Sequence, residues 1–203
     1  MPDARLFLLP LLVLLVPARA AEITVNATRS GAILQVEASA EFEGSLARAW
    51  QVLTDYERLT AFVPDLRESR VVSRERNNAL VDQKGAARLL FFSYPMDVRL
   101  AITEYPYERV VSHSVAGNFR EMRSTYTLAM RKGHVLLQYS GRMIPDFYVP
   151  PLIGTLVLRH NVESTFRALV NEMEHGTTSQ PPAASDQRPV TGNHGGERNV
   201  QME

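Results

Sequence analysis

Apolar and polar residues alternate along much of this chain with the period of two that is expected of strands with one buried face. The first such run spans residues 32–42, and further runs follow between residues 66 and 145. Turn-forming pairs separate the later runs. These pairs include Asn77-Asn78, Gly117-Asn118 and Lys132-Gly133. The pattern therefore predicts one early strand and six consecutive strands after it.

Two other stretches carry apolar residues at three- and four-residue steps, which is typical of helices. The first follows Ser45 and predicts two short helices that end at Pro64. The second, from Pro150 to about Gly176, predicts one amphipathic helix of roughly 36 Å. Its apolar face contains Leu158, Val162, Phe166, Leu169, Val170 and Met173. A second apolar set near its start is Leu152, Ile153, Leu156 and Val157.

The order of these elements predicts an α+β fold. A curved antiparallel sheet of about seven strands, in the order β-α-α-β-β-β-β-β-β-α, would wrap around the long C-terminal helix. Such a sheet and helix enclose a volume that side chains either fill or line as a ligand cavity.

The two ends of the chain predict segments outside this domain. Residues 1–20 have the form of a secretory signal peptide, with an apolar run after Arg5 and a cleavage motif at Ala18-Arg19-Ala20. We therefore expect a secreted protein, periplasmic in a bacterium, whose mature chain begins at Ala21. Residues 177–203 are polar and rich in Ser, Pro, Asn and Gly, which predicts a disordered tail. The domain is thus expected to span residues 21–176.

Composition and charge limit the kinds of functional site that this chain can contain. The chain contains no cysteine, which excludes disulfides and cysteine-ligated zinc. Its 22 basic and 22 acidic residues balance, so no global charge attracts nucleic acid. Neither His-x-x-x-His nor His-Glu-x-x-His spacing occurs, and His160 with Glu163 is better explained as surface pairing. We therefore predict no metal site, no cofactor and no nucleic-acid partner.

Three stretches carry a resemblance to a known superfamily. They are ARAWQVLTDYERLTAFV at 47–63, the following Pro64-Asp65-Leu66 with Ser69-Arg70-Val71, and FRALVNEM at 166–173. The chain resembles the helix-grip superfamily of START lipid-transfer domains and polyketide cyclase/dehydrase-like proteins, in particular its coenzyme Q-binding branch. The resemblance implies a cavity between the sheet and the long helix. It is weak for function, because members of that superfamily include carriers and enzymes.

Strand parity and loop position identify candidate ligand-binding residues. On strands they are Tyr94, Met96, Val98, Leu100, Met122, Tyr126, Leu137 and Tyr139. Elsewhere they are Phe62 after the short helices, Phe147 and Tyr148 before the long helix, and Leu152 and Leu156 on it. Buried tyrosine hydroxyls need hydrogen-bond partners and can hold a ligand's oxygen. Phe91 and Phe92, in a hairpin, are candidates for transient membrane contact.

Three functions follow from this pattern. The preferred interpretation is binding or transport of a hydrophobic small molecule, such as a lipid, an isoprenoid quinone or a polycyclic compound. The first alternative is a cyclase or dehydratase acting on a polyketide-like substrate, which would place acids, bases or arginines in the cavity. The second is a structural or partner-binding domain with a filled core. Because the inward positions are nearly all apolar or tyrosine, the sequence favours binding and predicts no catalytic residue.

Overall fold

A computed structural model describes residues 21–89 and 91–175, apart from the side chain of Leu152. The predicted signal peptide and the predicted tail lie outside these residues. The strands are β1 Glu22–Ser30, β2 Ile33–Phe42, β3 Leu66–Glu75, β4 Asn78–Leu89, β5 Phe92–Tyr105, β6 Arg109–Gly117, β7 Phe119–Arg131 and β8 His134–Pro145. The helices are α1 Leu46–Thr54, a 3-10 helix Glu57–Ala61 and α2 Pro151–His175.

The strands form one antiparallel sheet in the order β1-β2-β8-β7-β6-β5-β4-β3. Strands β3 to β8 follow one another as a meander, and β2 joins this meander beside β8. The α2 helix packs against β1, β2 and β4, and therefore lies across the concave side of the curved sheet. The predicted α+β fold, with a sheet around a C-terminal helix, is confirmed.

The sheet contains one more strand than the alternation predicted. The additional strand is β1, which pairs with β2 along its whole length and forms one edge of the sheet. Ile23, Val25 and Ala27 are its inward residues, and they are only partly buried against the main core. An edge strand such as β1 needs only a few small apolar side chains to pack against the core. The alternation in this segment is correspondingly weak, so the longer run after Ala32 looked like the first strand.

The helices follow local signals in the sequence. Ser45 caps α1 as predicted, because its side-chain oxygen accepts a hydrogen bond from the backbone N–H of Arg48 at 3.2 Å. The second short helix is a five-residue 3-10 helix, since only a few residues separate Asp55 from Pro64. None of the helices in the described part of the chain combines the length and apolarity needed to cross a membrane.

The apolar core divides into two parts. We call the first the packed half: β1, β2 and β8 with α1 and α2, centred on Phe166, Leu137 and Val135, whose side chains are fully buried. We call the second the open half: the inward side chains of β4, β5 and β6 together with Tyr56. The predicted apolar face of α2 is buried against the packed half. Met122 and Tyr126 of β7 contact both halves.

Candidate ligand-binding cavity

A cavity of about 180 Å³ lies between the packed half and the open half. Its floor is the concave surface of β5, β6, β7 and β8, and α2 forms one wall through Val162, Phe166 and Leu169. The end of α1, the 3-10 helix and the loop that follows it complete the enclosure. The cavity exists because α2 crosses the sheet closest to β1 and β2 and leaves the inward side of β5 and β6 to be covered by short elements.

The 3-10 helix is held in place by a buried polar contact. The Tyr56 hydroxyl donates a hydrogen bond of 2.8 Å to Glu104, whose side chain is almost fully buried on β5. Arg74 pairs with Glu104 at 3.3 Å and lies 5.3 Å from the centre of the Tyr56 ring. Burial, followed by the bond to Glu104, raises the pKa of Tyr56 above its ordinary value. This cluster fixes one end of the cavity's cover.

The floor of the cavity carries a row of hydroxyl groups on neighbouring strands. Ser112 of β6 lies opposite Ser124 of β7, and their hydroxyls share a hydrogen bond of 2.7 Å. Two residues further along β7, Tyr126 lies opposite Tyr139 of β8, with ring centres 4.6 Å apart. These four residues line the cavity. They are polar side chains at positions that face the core, so the register of the sheet brings them together.

Gly141 makes room for one of these tyrosines. A methyl group at Gly141 would lie 2.6 Å from the Tyr139 hydroxyl, closer than such atoms approach in proteins. Gly141 is two residues after Tyr139 on β8, on the same face of the sheet, and opposite Ser124. The glycine therefore allows the Tyr139 ring to lie flat along its own strand toward the serine pair.

Both floor tyrosines are surrounded mainly by other protein groups. Burial raises the pKa of Tyr139 to about 12, with a hydrogen bond to Ser124 acting in the opposite direction. Burial also raises the pKa of Tyr126, and its neighbour Tyr139 adds to the shift. Both phenols are therefore neutral at physiological pH, and their hydroxyls remain hydrogen-bond donors.

Charge is scarce around the cavity. Among the described residues that line it, Asp65 is the one with a charged side chain, and it pairs with Arg88 at 3.2 Å. The described residues contain no group of three His, Asp or Glu side chains placed to hold a metal ion. The cavity is therefore mainly an apolar space with neutral hydroxyl groups along its floor.

Comparison of the sequence with family models places this geometry in a known group. The model described as polyketide cyclase / dehydrase and lipid transport matches residues 43–173, which is well over half of the chain. The chain belongs to this family. Among curated proteins, no match was found.

Solved structures with the same fold include different members of the superfamily. A STAR-related lipid transfer protein from Xanthomonas axonopodis is 15% identical, with 77% of this chain and 97% of that chain covered and a TM-score of 0.64. A START superfamily protein from Mycobacterium smegmatis is 16% identical, with 70% and 99% covered and a TM-score of 0.60. The Zhui aromatase/cyclase from Streptomyces sp. R1128 is 11% identical, with 70% and 94% covered and a TM-score of 0.60. At these identities the likeness establishes the fold alone.

Within this family fold, five of the residues predicted from the sequence line the cavity. They are Met96, Leu100, Met122, Tyr126 and Tyr139. Strand parity identified them correctly as inward residues. The structure brings them together from three strands of the meander, β5, β7 and β8.

Other predicted residues lie in the core or at the end of the sheet. Val98 and Leu137 face inward but are closely packed and do not line the cavity, because neighbouring side chains fill the space around them. Tyr94 stacks on Phe147 with ring centres 5.7 Å apart, at the end of the sheet where β5 begins. Phe62 packs against the main core at the end of the 3-10 helix. The alternation along a strand predicts which face of the sheet a side chain lies on. It does not predict whether that part of the strand lies beside the cavity.

The expectations for the loop and for the start of α2 are corrected. The Tyr148 side chain is 79% exposed and lies outside the cavity lining. Leu156 is 56% exposed, since it shares a helix face with the exposed His160 and Arg167. Because Leu156 is apolar, the sequence predicted a wider buried face for α2 than the helix has. The side chain of Leu152 lies outside the described residues.

Several cavity residues were missed by the sequence analysis. They include Tyr56, Gln83, Ser112, Ser124, Asn161 and Thr165. For Ser112 and Ser124 a signal was present, because each is a polar residue in the inward parity of a strand, between Val110 and Ser114 and between Met122 and Tyr126. Tyr56 lay in a predicted helix whose orientation toward the sheet no local pattern indicates.

Proposed function

We propose that this protein binds a hydrophobic small molecule in the cavity between the sheet and α2 and carries it between sites. The observation that supports the proposal is the cavity itself, a space of about 180 Å³ lined mainly by apolar side chains in the middle of the domain. Such concave apolar spaces with a few polar groups are typical of small-molecule sites. A lipid, an isoprenoid quinone and a polycyclic compound are the candidate ligands.

The alternative of a cyclase or dehydratase needs an acid or base within hydrogen-bond reach of the substrate. Asp65 is the charged side chain among the described lining residues, and Arg88 already pairs with it. The tyrosines on the floor are held neutral by burial. These observations favour binding over catalysis. Turnover of a polyketide-like substrate, abolished by changing Asp65 or Tyr139, would favour the enzyme instead.

The binding proposal is tested with a neutral two-ring fluorophore, 6-propionyl-2-(dimethylamino)naphthalene, and with mass spectrometry of extracts of the purified protein. Val110 lines the cavity and belongs to the inward side chains of the open half, so Val110→Phe fills part of the cavity and should weaken fluorophore binding. Leu156→Gln is the control, because Leu156 lies outside the cavity lining and is exposed. Absence of saturable binding to the unmodified protein would favour a structural or partner-binding role.

We also propose that the protein contacts a membrane transiently through three aromatic residues, Phe91, Phe92 and Tyr148. Phe91 is 84% exposed and Tyr148 is 79% exposed. The stacking of Tyr94 on Phe147 brings the β4–β5 hairpin beside the loop before α2, so these residues lie at one end of the sheet. Exposed aromatic groups at such a position are typical of membrane and protein contacts.

Sedimentation with phospholipid vesicles tests this contact. Changing Phe91 and Tyr148 to Ser should reduce the bound fraction. Met130→Ser, at the opposite end of β7 from Phe119, is the control because Met130 is also exposed, at 50%. Equal sedimentation of both variants and the unmodified protein would contradict the proposed contact.

The site of action is proposed from the sequence. The apolar leader and its cleavage motif favour function outside the cytoplasm, in the periplasm of a bacterium. N-terminal sequencing of the exported protein should give Ala21 as the first residue. Recovery of Met1 on the protein purified from the periplasm would overturn this proposal.

A further inference from the structure

The hydroxyl row on the cavity floor narrows the class of ligand. Resting on the proposed binding function, we propose that the cavity selects a neutral molecule of one or two rings that carries a hydroxyl or carbonyl oxygen. Tyr126 donates a hydrogen bond to that oxygen. Carboxylates of the same size, including fatty acid anions, are rejected.

The first support for this inference is the hydrogen bonding of the floor. The hydroxyls of Ser112 and Ser124 are bonded to each other, and a hydrogen bond to Ser124 influences Tyr139. No hydrogen bond joins the Tyr126 hydroxyl to another described residue. Because every fully buried polar side-chain atom of the described residues has a partner, this hydroxyl is accessible from the cavity that Tyr126 lines. A donor that faces an apolar space without a partner gains a hydrogen bond when an oxygen-bearing ligand enters.

The position of the Tyr126 ring is fixed before any ligand arrives. Its ring centre lies 4.6 Å from that of Tyr139 and 6.2 Å from that of Phe166, and the Phe166 side chain is fully buried. These aromatic contacts leave little freedom for the ring to move. The hydroxyl is therefore presented at one place on the floor, and binding need not order it.

The second support is the charge of the lining. A carboxylate that enters an apolar space loses its hydration and needs a cation or several donors in return. No Lys, Arg or His is among the described residues that line the cavity. Asp65 is an anion itself, and Arg88 is already paired with it. An anionic ligand would find neutral polar side chains, those of Tyr126, Gln83, Asn161 and Thr165, but no cation among the described lining residues, and the carboxylate of Asp65 would lie nearby.

The third support for this inference is the size of the cavity. An apolar cavity of about 150 Å³ is sufficient for benzene. The present cavity, of about 180 Å³, is somewhat larger and takes a substituted ring, or two fused rings after small movements of its walls. The cavity as it stands is too small for a whole phospholipid.

Three probes of matched ring size test the selectivity: naphthalene, 2-naphthol and 2-naphthoate, titrated into the full protein at pH 7. We expect 2-naphthol to bind about three- to tenfold more tightly than naphthalene, because it gains one hydrogen bond. We expect 2-naphthoate to bind at least tenfold more weakly than 2-naphthol. Equal affinity for naphthol and naphthoate, or tighter binding of naphthoate, would overturn the inference.

A variant assigns the selectivity to Tyr126. Tyr126→Phe keeps the ring and its packing and removes the hydroxyl, so it should weaken 2-naphthol about three- to tenfold and leave naphthalene unchanged. Tyr94→Phe is the matched control, because Tyr94 lies outside the cavity lining. Unchanged naphthol affinity in Tyr126→Phe would overturn the role of Tyr126.

The probes also separate this inference from the proposed function. If naphthalene binds and the three probes do not differ, the binding proposal stands and the selectivity is wrong. If none of the three binds at millimolar concentration, while thermal unfolding shows an intact domain, both proposals are wrong. Loss of naphthalene binding in Tyr126→Phe would show a packing effect and would contradict the assigned hydrogen bond.

Discussion

The packed half and the open half are built from the same kind of strand but differ in what covers them. In the packed half, α2 lies directly over β1 and β2, and Leu137, Val135 and Phe166 are fully buried. In the open half, a short 3-10 helix and a loop cover β5 and β6, and space remains between them and the sheet. The comparison teaches that the length of the covering element, more than strand composition, decides where a cavity forms.

We expect the largest difference in stability between the two halves when one leucine in each half is truncated. Leu137→Ala in the packed half should lower the free energy of unfolding by about 3 to 5 kcal/mol, because fully surrounded methyl groups are lost. Leu100→Ala in the open half should cost nearer to 2 kcal/mol, since one side of Leu100 already faces the cavity. Urea unfolding measures both. Equal losses would mean that the open half is as closely packed as the other.

A smaller effect is expected from pH, because Tyr139 stands at the boundary between the halves. Burial raises the pKa of Tyr139 to about 12, from the ordinary tyrosine value of 10.0. Below pH 10 both the folded and unfolded chains keep this proton, so the group leaves stability unchanged. Between pH 10 and 12 only the unfolded chain loses it, so the free energy of unfolding should fall by up to about 2 to 3 kcal/mol.

Urea unfolding of the unmodified protein and of Tyr139→Phe at pH 9, 10 and 11 measures this dependence. The variant should lose less stability than the unmodified protein as the pH rises. Parallel pH profiles would mean that water reaches the Tyr139 hydroxyl, and that the boundary between the halves is wetter than the structure indicates.

We expect the smallest effect from enlarging one buried valine in each half. Val36→Phe in the packed half should lower the free energy of unfolding by about 1 to 3 kcal/mol through overpacking, because Val36 is fully buried. Val110→Phe in the open half places its extra carbons in the cavity and should change the free energy of unfolding by less than about 1 kcal/mol. Thermal unfolding, calibrated by urea titration, gives the difference. If Val110→Phe is as destabilising as Val36→Phe, the cavity cannot accept new atoms.

The sequence was most informative where periodicity and burial coincide. The six apolar residues of α2 and the inward parity of β5, β7 and β8 were predicted, because each is a repeated local pattern. The edge strand β1 was missed, since an edge needs few apolar residues. Leu156 was placed in the cavity because it is apolar, although the pitch of α2 turns it to solvent.

The composition of the site was less accessible from the sequence than the fold. Tyr56 reaches the cavity from a helix whose approach depends on the distant Glu104. The position of the Tyr139 ring depends on Gly141, whose missing side chain leaves the space that the ring occupies, and no local pattern in the sequence indicates this. Such features depend on three-dimensional register and not on neighbours in the chain.

Glu172 near the end of α2 binds α1 and the 3-10 helix, two of the elements that enclose the cavity. It accepts hydrogen bonds from Arg48 of α1 at 2.8 Å and from Arg58 of the 3-10 helix at 2.7 Å, in a partly buried position. In the loop after the 3-10 helix, Asp65 pairs with the more exposed Arg88 at 3.2 Å. Dissolved salt weakens exposed ion pairs more than buried ones. Ionic strength should therefore loosen the loop at Asp65 first and set how fast the cavity exchanges its contents.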